Sequence, residues 1–124
     1  MKNKFNALSI VAPSGQRIRQ GIKTLEIRSW QPNSLPLKNL IIVENKNFLD
    51  QDGDEEEGLA VAIVDIASVH IWRPDEIEPA CASVWSEGYY AWVITNIRPI
   101  HSTIVVKAKR KIYEIEIDPD QILL

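Results

Sequence analysis

Runs of apolar and β-branched residues constrain the fold of this chain more than any other feature of its sequence. Residues Asn39–Glu44 contain four consecutive apolar side chains, which is typical of a buried central strand. Leu59–Val69 is a longer run of small and β-branched residues, and Tyr89–Ile97 is aromatic and β-branched. We therefore expect a fold organised around a sheet.

A short helix is predicted near the N-terminus. It follows a strand at Asn6–Val11 and begins at Pro13-Ser14-Gly15, with Ser14 as the N-cap. Ile18 and Ile22 are four residues apart and would share its buried face. Gly21 lies where a helix C-terminus favours a residue that can adopt left-handed dihedral angles.

The second half of the chain predicts one more helix and two more strands. Arg73-Pro74-Asp75 begins a helical segment that extends to about Ala82, with proline in its first turn. Thr103–Lys107 and Ile112–Ile117 alternate as strands, joined by a basic turn. The whole pattern predicts one α+β domain over residues 1–124: a small, closed or nearly closed β-barrel of about six strands with two short helices.

The stretch Gly21–Trp30 has the most unusual chemistry in the chain. Strand alternation directs Leu25 and Ile27 towards a core, with Lys23 just before them. The opposite face then carries a hydroxyl, an acid, a guanidinium and an indole: Thr24, Glu26, Arg28 and Trp30. Such cations can bind a phosphate or polarise a carbonyl, and the acid can act as a general base or accept a hydrogen bond from a nucleobase. The alternative is an exposed Glu–Arg pair that contributes well under ~1 kcal/mol.

Charge is distributed unevenly along the chain. Residues 1–49 carry eight Lys and Arg against two acids, whereas residues 50–90 carry one against eleven. The net charge of −3 argues against non-specific coating of nucleic acid but leaves room for a local basic cleft. The acidic segment Asp50–Glu57 has neither the spacing nor the flanking helices of a calcium-binding EF-hand, so we expect a solvated loop.

Other kinds of site are disfavoured by the sequence. His70 and His101 are far apart and lack neighbouring ligands, so we expect no metal and no other cofactor. The single Cys81 excludes an intramolecular disulfide and fits a reducing compartment. The N-terminus lacks a signal-peptide pattern, and no stretch approaches the roughly 20 apolar residues that cross a bilayer. We therefore expect a cytoplasmic protein with no membrane partner.

The segment ALSIVAPSGQRIRQGIKTLEIRSW resembles the opening signature of ASCH domains, which are small β-barrels of the PUA-like superfamily. The family's G-x-K-x-x-E-x-R motif corresponds to Gly21, Lys23, Glu26 and Arg28. Residues 88–100, GYYAWVITNIRPI, are similar to its closing tryptophan-containing strand. The resemblance implies a cleft lined by the charged residues of the motif, which binds RNA or a nucleotide-like ligand.

The resemblance also implies possible catalysis. Some small members of the family that this chain resembles are amidohydrolases that deacetylate N4-acetylcytidine. These enzymes use the motif lysine, a threonine three residues after it and a more distant glutamate. Lys23 matches that lysine, but Glu26 occupies the threonine position, so the nucleophile is missing. Other members are similar to ribonucleases, for which Lys23 and Glu26 would be the catalytic residues here. A third alternative is a protein-interaction module, as in a transcription coactivator.

Aromatic and basic residues complete the predicted ligand-binding set. Trp30, Tyr90 and Trp92 are candidates for stacking on a base, with Trp30 the first choice because it shares a strand face with the motif. The full predicted ligand-binding set is Lys23, Arg28, Trp30, Arg17, Arg19 and Trp92. The basic residues Lys107, Lys109, Arg110 and Lys111 could extend a phosphate-contacting surface, although a basic turn also favours solubility.

Overall fold

The computed structural model describes residues 1–122, which form a mixed sheet of seven strands with two short helices. The α+β class is thus confirmed. The strands are β1 (Asn3–Val11), β2 (Leu25–Arg28), β3 (Leu37–Asn45), β4 (Glu55–Ile71), β5 (Tyr90–Pro99), β6 (Val105–Lys109) and β7 (Ile112–Ile117). The helices are α1 (Ser14–Arg19) and α2 (Ile77–Ala80), and single 3₁₀ turns span Pro74–Glu76 and Pro119–Gln121.

The sheet curls without closing into a barrel. Its strand order is β2-β5-β4-β3-β1-β7, with β6 paired to the start of β4, and only β1 and β3 run parallel. One apolar cluster takes side chains from β1, β3, β4 and β5, so the sheet wraps around it. Within residues 1–122 no strand pairing joins β2 to β1 or β7, so the expected closed or nearly closed barrel is only partly right.

Strand β3 shows why its apolar run is continuous. Leu40 and Ile42 pack into the cluster inside the curl, whereas Ile41 and Val43 pack into a second cluster on the opposite face. All four side chains are at most 1% exposed. A strand that is buried on both faces needs apolar residues at every position, which confirms the predicted central strand.

Helix α1 is shorter than its sequence pattern predicts. It ends at Arg19, so Ile22 lies beyond it and is 59% exposed, and the predicted pairing of Ile18 with Ile22 is wrong. Ile18 itself is completely buried. Gly21 has a φ of +78°, the left-handed conformation predicted for this position.

The N-terminus of α1 is capped by a side chain of strand β3. Ser14 is the first helical residue rather than the N-cap, and its side chain makes no capping hydrogen bond. Instead, the backbone N–H of Gln16 donates to Glu44 Oε2 of β3 at 2.9 Å. A β-carbon on Gly15 would lie 2.9 Å from that side chain, so glycine lets the helix approach β3. No helix within residues 1–122 is long and apolar enough to cross a membrane.

Candidate ligand-binding cleft

A cleft of about 630 Å³ occupies the gap left by the open sheet. One wall is the end of β1, where residues 9–11 extend past the last residue paired with β7. The facing wall is β2, which pairs on one side with β5. The loop between β3 and β4 and the turn between β6 and β7 contribute further lining residues. The cleft is therefore built from segments that are distant in sequence.

The floor of the cleft is a chain of three charged residues from the motif. Lys23 Nζ lies 3.4 Å from Glu26 Oε1, and Arg28 Nε donates to Glu26 Oε2 at 2.7 Å. Arg28 Nη2 then donates to the backbone oxygen of Ser9 at 2.9 Å, which joins β2 to β1 across the open side. The side chains of Lys23 and Glu26 are only 8% exposed, so this is a buried network rather than a surface ion pair.

Lys23 is the buried end of the floor and does not reach the cleft lining. Its ammonium donates to the backbone oxygen of Ala80 at 2.6 Å, at the C-terminus of α2. A cation satisfies a helix carbonyl there and interacts favourably with the helix dipole. Lys23 thus couples α2 to Glu26, and Glu26 and Arg28 are the motif side chains that reach the cleft lining.

The apolar face of β2 explains why the charged face turns inward. Leu25 is buried against Trp72 and Ala80 in a small cluster outside the curl, and Ile27 packs against the same cluster. Since alternate residues of a strand point to opposite faces, Glu26 is directed towards the inside, opposite Trp92 of β5. The predicted alternation is therefore confirmed, with the polar face inside the curl.

Trp30 forms an aromatic wall above the floor. Its ring meets that of Trp92 edge to face, with centroids 4.9 Å apart, and Trp92 Nε1 donates to the backbone oxygen of Trp30. Trp92 is completely buried, so it has no face free to stack on a ligand and instead supports Trp30. The Lys111 ammonium lies 5.7 Å from the centroid of the Trp30 ring, within cation–π range.

One carboxylate anchors the loop that forms the β3–β4 wall. Glu56 accepts hydrogen bonds from the backbone and side-chain nitrogens of Asn47, from the backbone of Lys46 and from the Asn45 side chain. The bonds from Asn47 contribute most to lowering the pKa of Glu56 to about 2. Asn45 and Asn47 line the cleft, so this anchor shapes the wall.

Ser9 fixes the basic turn between β6 and β7 to the end of β1. Its hydroxyl accepts a hydrogen bond from the backbone N–H of Lys109 at 3.1 Å and shares another with the Tyr113 hydroxyl at 2.7 Å. Burial raises the pKa of Tyr113. Lys109, Arg110 and Lys111 consequently line the cleft, opposite the floor residues.

The two arginines of α1 lie away from the cleft lining. Arg19 donates through Nε to the backbone oxygen of Ile100 and lies 3.0 Å from His101 Nδ1. Arg17 is exposed and is not among the lining residues. The structure therefore unites Glu26, Arg28 and Trp30 of the predicted set and places Arg17, Arg19, Lys23 and Trp92 outside the cleft lining.

Two aromatic residues of the lining were missed by sequence reasoning. Phe48, in the loop after β3, is 77% exposed, and Tyr89 precedes β5 and is also exposed. Tyr90, a predicted stacking candidate, is half-buried and packs against the main core. Their location at the ends of strands could have identified them, because an aromatic residue just outside a strand is not required to fill the core.

The histidines have structural contacts. His70 Nε2 lies 2.9 Å from both carboxylate oxygens of Glu76. Burial opposes ionisation of Glu76, but hydrogen bonds from His70 and Arg73 outweigh it and leave the pKa lowered. In the part of the chain that the structure describes, no group of three or more His, Cys, Asp or Glu residues could hold a metal ion.

Comparisons with known proteins agree with this architecture. A family model described as the ASCH domain matches residues 8–104, which is more than half of the chain. Among solved structures, the chain is similar to a mutant of the ZmASCH protein from Zymomonas mobilis, with 14% sequence identity and a TM-score of 0.57. That match covers 82% of this chain and 76% of the other, and at such low identity it supports the fold alone. No curated protein matches the chain.

Proposed function

The chain belongs to the ASCH domain family, and on this basis we propose that its cleft binds RNA or a nucleotide-like ligand. The observation that carries the proposal is the combination of cationic side chains and an aromatic wall in one cleft. Such a combination suits a ligand that carries both a phosphate and a base. Support from the family is general, and the assignment to this cleft comes from its chemistry.

The charge of the cleft favours an anionic ligand. Its lining contains one carboxylate, Glu26, and four cations: Arg28, Lys109, Arg110 and Lys111. Arg28 is held by Glu26 and Ser9, so its guanidinium is already oriented before a ligand binds. An oriented guanidinium can bind a phosphate or a carbonyl oxygen with little loss of side-chain freedom.

The aromatic wall provides a site for a base. Trp30 is held at its edge by Trp92, and a base could stack on its ring in place of the Lys111 ammonium. The displaced ammonium would then be available to a neighbouring phosphate. Glu26 has an oxygen at the floor that can accept an N–H from the edge of a base.

A matched pair of lysine substitutions tests the binding proposal. Lys111→Gln removes a cation from the cleft lining, and Lys107→Gln removes the same charge from the neighbouring strand β6, at a position outside the lining. We expect Lys111→Gln to weaken binding of a short single-stranded RNA severalfold and to reduce the slope of log affinity against log salt by roughly 0.7. Lys107→Gln should change affinity much less. Equal effects, or no binding by the wild type at low salt, would contradict the proposal.

A second candidate is RNA cleavage in the same cleft. It is favoured by the position of Glu26, whose carboxylate lines the cleft beside Arg28 and could accept the proton of a 2′-hydroxyl while the guanidinium positions the phosphate. Lys23 would act through Glu26, because its ammonium bonds to that carboxylate and to Ala80. Amide hydrolysis of a modified nucleoside is less favoured, since Glu26 stands where the known amidases have threonine.

Incubation with end-labelled RNA and with N4-acetylcytidine distinguishes these reactions. Cleavage of RNA by the wild type, lost in Glu26→Gln while RNA binding persists, is the result expected for a general base. Cleavage that persists in Glu26→Gln would exclude this role, and product from N4-acetylcytidine would favour the amidase instead.

A further inference from the structure

The acidic loop between β3 and β4 places a carboxylate of the protein itself at the edge of the cleft. Asp52 Oδ1 accepts a hydrogen bond from Arg110 Nη1 at 2.5 Å. The Asp52 side chain is 99% exposed, whereas that of Arg110 is 30% exposed and lines the cleft. A solvent-exposed carboxylate is therefore paired with a cation that belongs to the cleft wall.

Asp52 differs from the other acids of the segment Asp50–Glu57 in how it is held. Glu56 accepts four hydrogen bonds that anchor the loop, and Glu55 pairs with Lys107 on the neighbouring strand. Asp52 lies in a turn closed by the N–H of Asp54 on the Gln51 oxygen, and within residues 1–122 its side chain contacts no partner but Arg110. The loop can therefore keep its anchor while Asp52 leaves Arg110.

We propose that Arg110 is a phosphate subsite of the cleft and that the Asp52 carboxylate occupies it in the free protein. The inference rests on the proposed function and specifies it: ligand binding replaces one oxyanion by another. A guanidinium binds phosphate in the same forked geometry as carboxylate, and a doubly charged phosphate gains more from it. The preferred ligands are thus phosphorylated nucleotides or oligonucleotides rather than free nucleosides.

Two charge-matched variants test this exchange. Asp52→Asn frees Arg110, whereas Glu55→Gln removes the same charge from the nearby start of β4 and breaks an ion pair with Lys107, which is outside the cleft lining. Long-range electrostatic effects should be similar in both variants, so a difference reports the local competition. We expect Asp52→Asn to bind 5′-phosphorylated hexauridylate roughly two- to fivefold more tightly than Glu55→Gln does, as expected for release of an exposed ion pair.

Two further measurements complete the test. The advantage of Asp52→Asn should disappear when Arg110→Gln is added, and it should be absent for uridine, which has no phosphate. Equal affinities of Asp52→Asn and Glu55→Gln would overturn the subsite while leaving the proposed function standing.

Failure of the wild type to bind any nucleotide would refute the proposed function, and the subsite can still be judged separately. Tripolyphosphate should shift the NMR signal of the Arg110 side chain at lower concentration in Asp52→Asn than in Glu55→Gln. No shift in either variant would overturn the subsite as well.

Discussion

The floor and the rim of the cleft contain the same types of charged side chain in opposite environments. On the floor, Lys23, Glu26 and Arg28 form a connected network in which the acid and the lysine are almost completely buried. On the rim, Asp52 and Arg110 form an isolated pair whose acid is fully exposed. Breaking a buried pair leaves a desolvated charge without a partner, whereas breaking an exposed pair returns both groups to water.

This difference assigns separate roles to the two regions. The floor fixes the relative positions of β1, β2 and α2, since its bonds reach Ser9 and Ala80. The rim contributes little to folding, so its charges are free to exchange partners with a ligand. We therefore expect substitutions on the floor to change stability and substitutions on the rim to change affinity.

The largest effect is expected for Glu26→Ala on the floor. The change leaves the Lys23 ammonium buried with only the Ala80 oxygen, and it releases Arg28 from its orientation. Loss of one partner from a buried ion pair costs about 3–5 kcal/mol, so we expect a destabilisation of that size in urea unfolding. A loss below about 1 kcal/mol would indicate that water reaches the floor and that the contrast with the rim is false.

An arginine-to-lysine substitution in each region compares directly how much the floor and the rim contribute to stability. Arg28→Lys removes the fork that joins Glu26 to Ser9, and a lysine cannot make both bonds in this geometry. We expect it to cost about 1.5–3 kcal/mol, the usual contribution of a hydrogen bond to a charged group. Arg110→Lys should leave the unfolding midpoint almost unchanged. Similar losses in both variants would remove the distinction between floor and rim.

The sequence predicted the local features that depend on neighbouring residues. The four apolar residues of β3 identified a strand buried on both faces, and the alternation in β2 separated Leu25 and Ile27 from Glu26 and Arg28. The left-handed glycine after α1 was equally predictable. Each of these features is determined within a few residues of chain, by side-chain periodicity or by backbone sterics.

The features that were missed depend on how distant segments meet. Whether the sheet closes depends on which strand pairs with the free side of β1 beyond Leu8, where its pairing with β7 ends. No local sequence pattern encodes that choice. Arg17 and Arg19 were grouped with the motif because they are close in sequence, yet α1 turns them away from the cleft lining. Phe48 was overlooked because its role follows from the position of the loop, which Glu56 fixes across nine residues.

Glu56 should show an intermediate effect with a defined pH dependence. Hydrogen bonds from Asn47 lower its pKa from 4.5 to about 2, so it stabilises the fold fully above pH 4.5 and loses this contribution as the pH falls towards 2. We expect Glu56→Gln to be less stable than the wild type at pH 6, with a difference that shrinks at pH 4 and again at pH 3. A difference that stays constant over this range would show that the carboxylate charge does not anchor the loop.

The smallest effect on stability is expected for Glu55→Gln, which breaks an exposed ion pair outside the cleft lining. Hydrogen bonding to Lys107 lowers the pKa of Glu55, but both groups are exposed and regain water when the pair is broken. The urea midpoint of this variant should therefore match that of the wild type within error at pH 7, at both low and high salt. Glu55 lies next to Glu56 in the same strand. Both variants remove one negative charge, but only Glu56→Gln also removes the carboxylate that anchors the loop, so their difference measures the anchor. If Glu55→Gln destabilised the protein as much as Glu56→Gln, exposed ion pairs would contribute to folding here, and we would no longer expect Asp52 to leave Arg110 without cost.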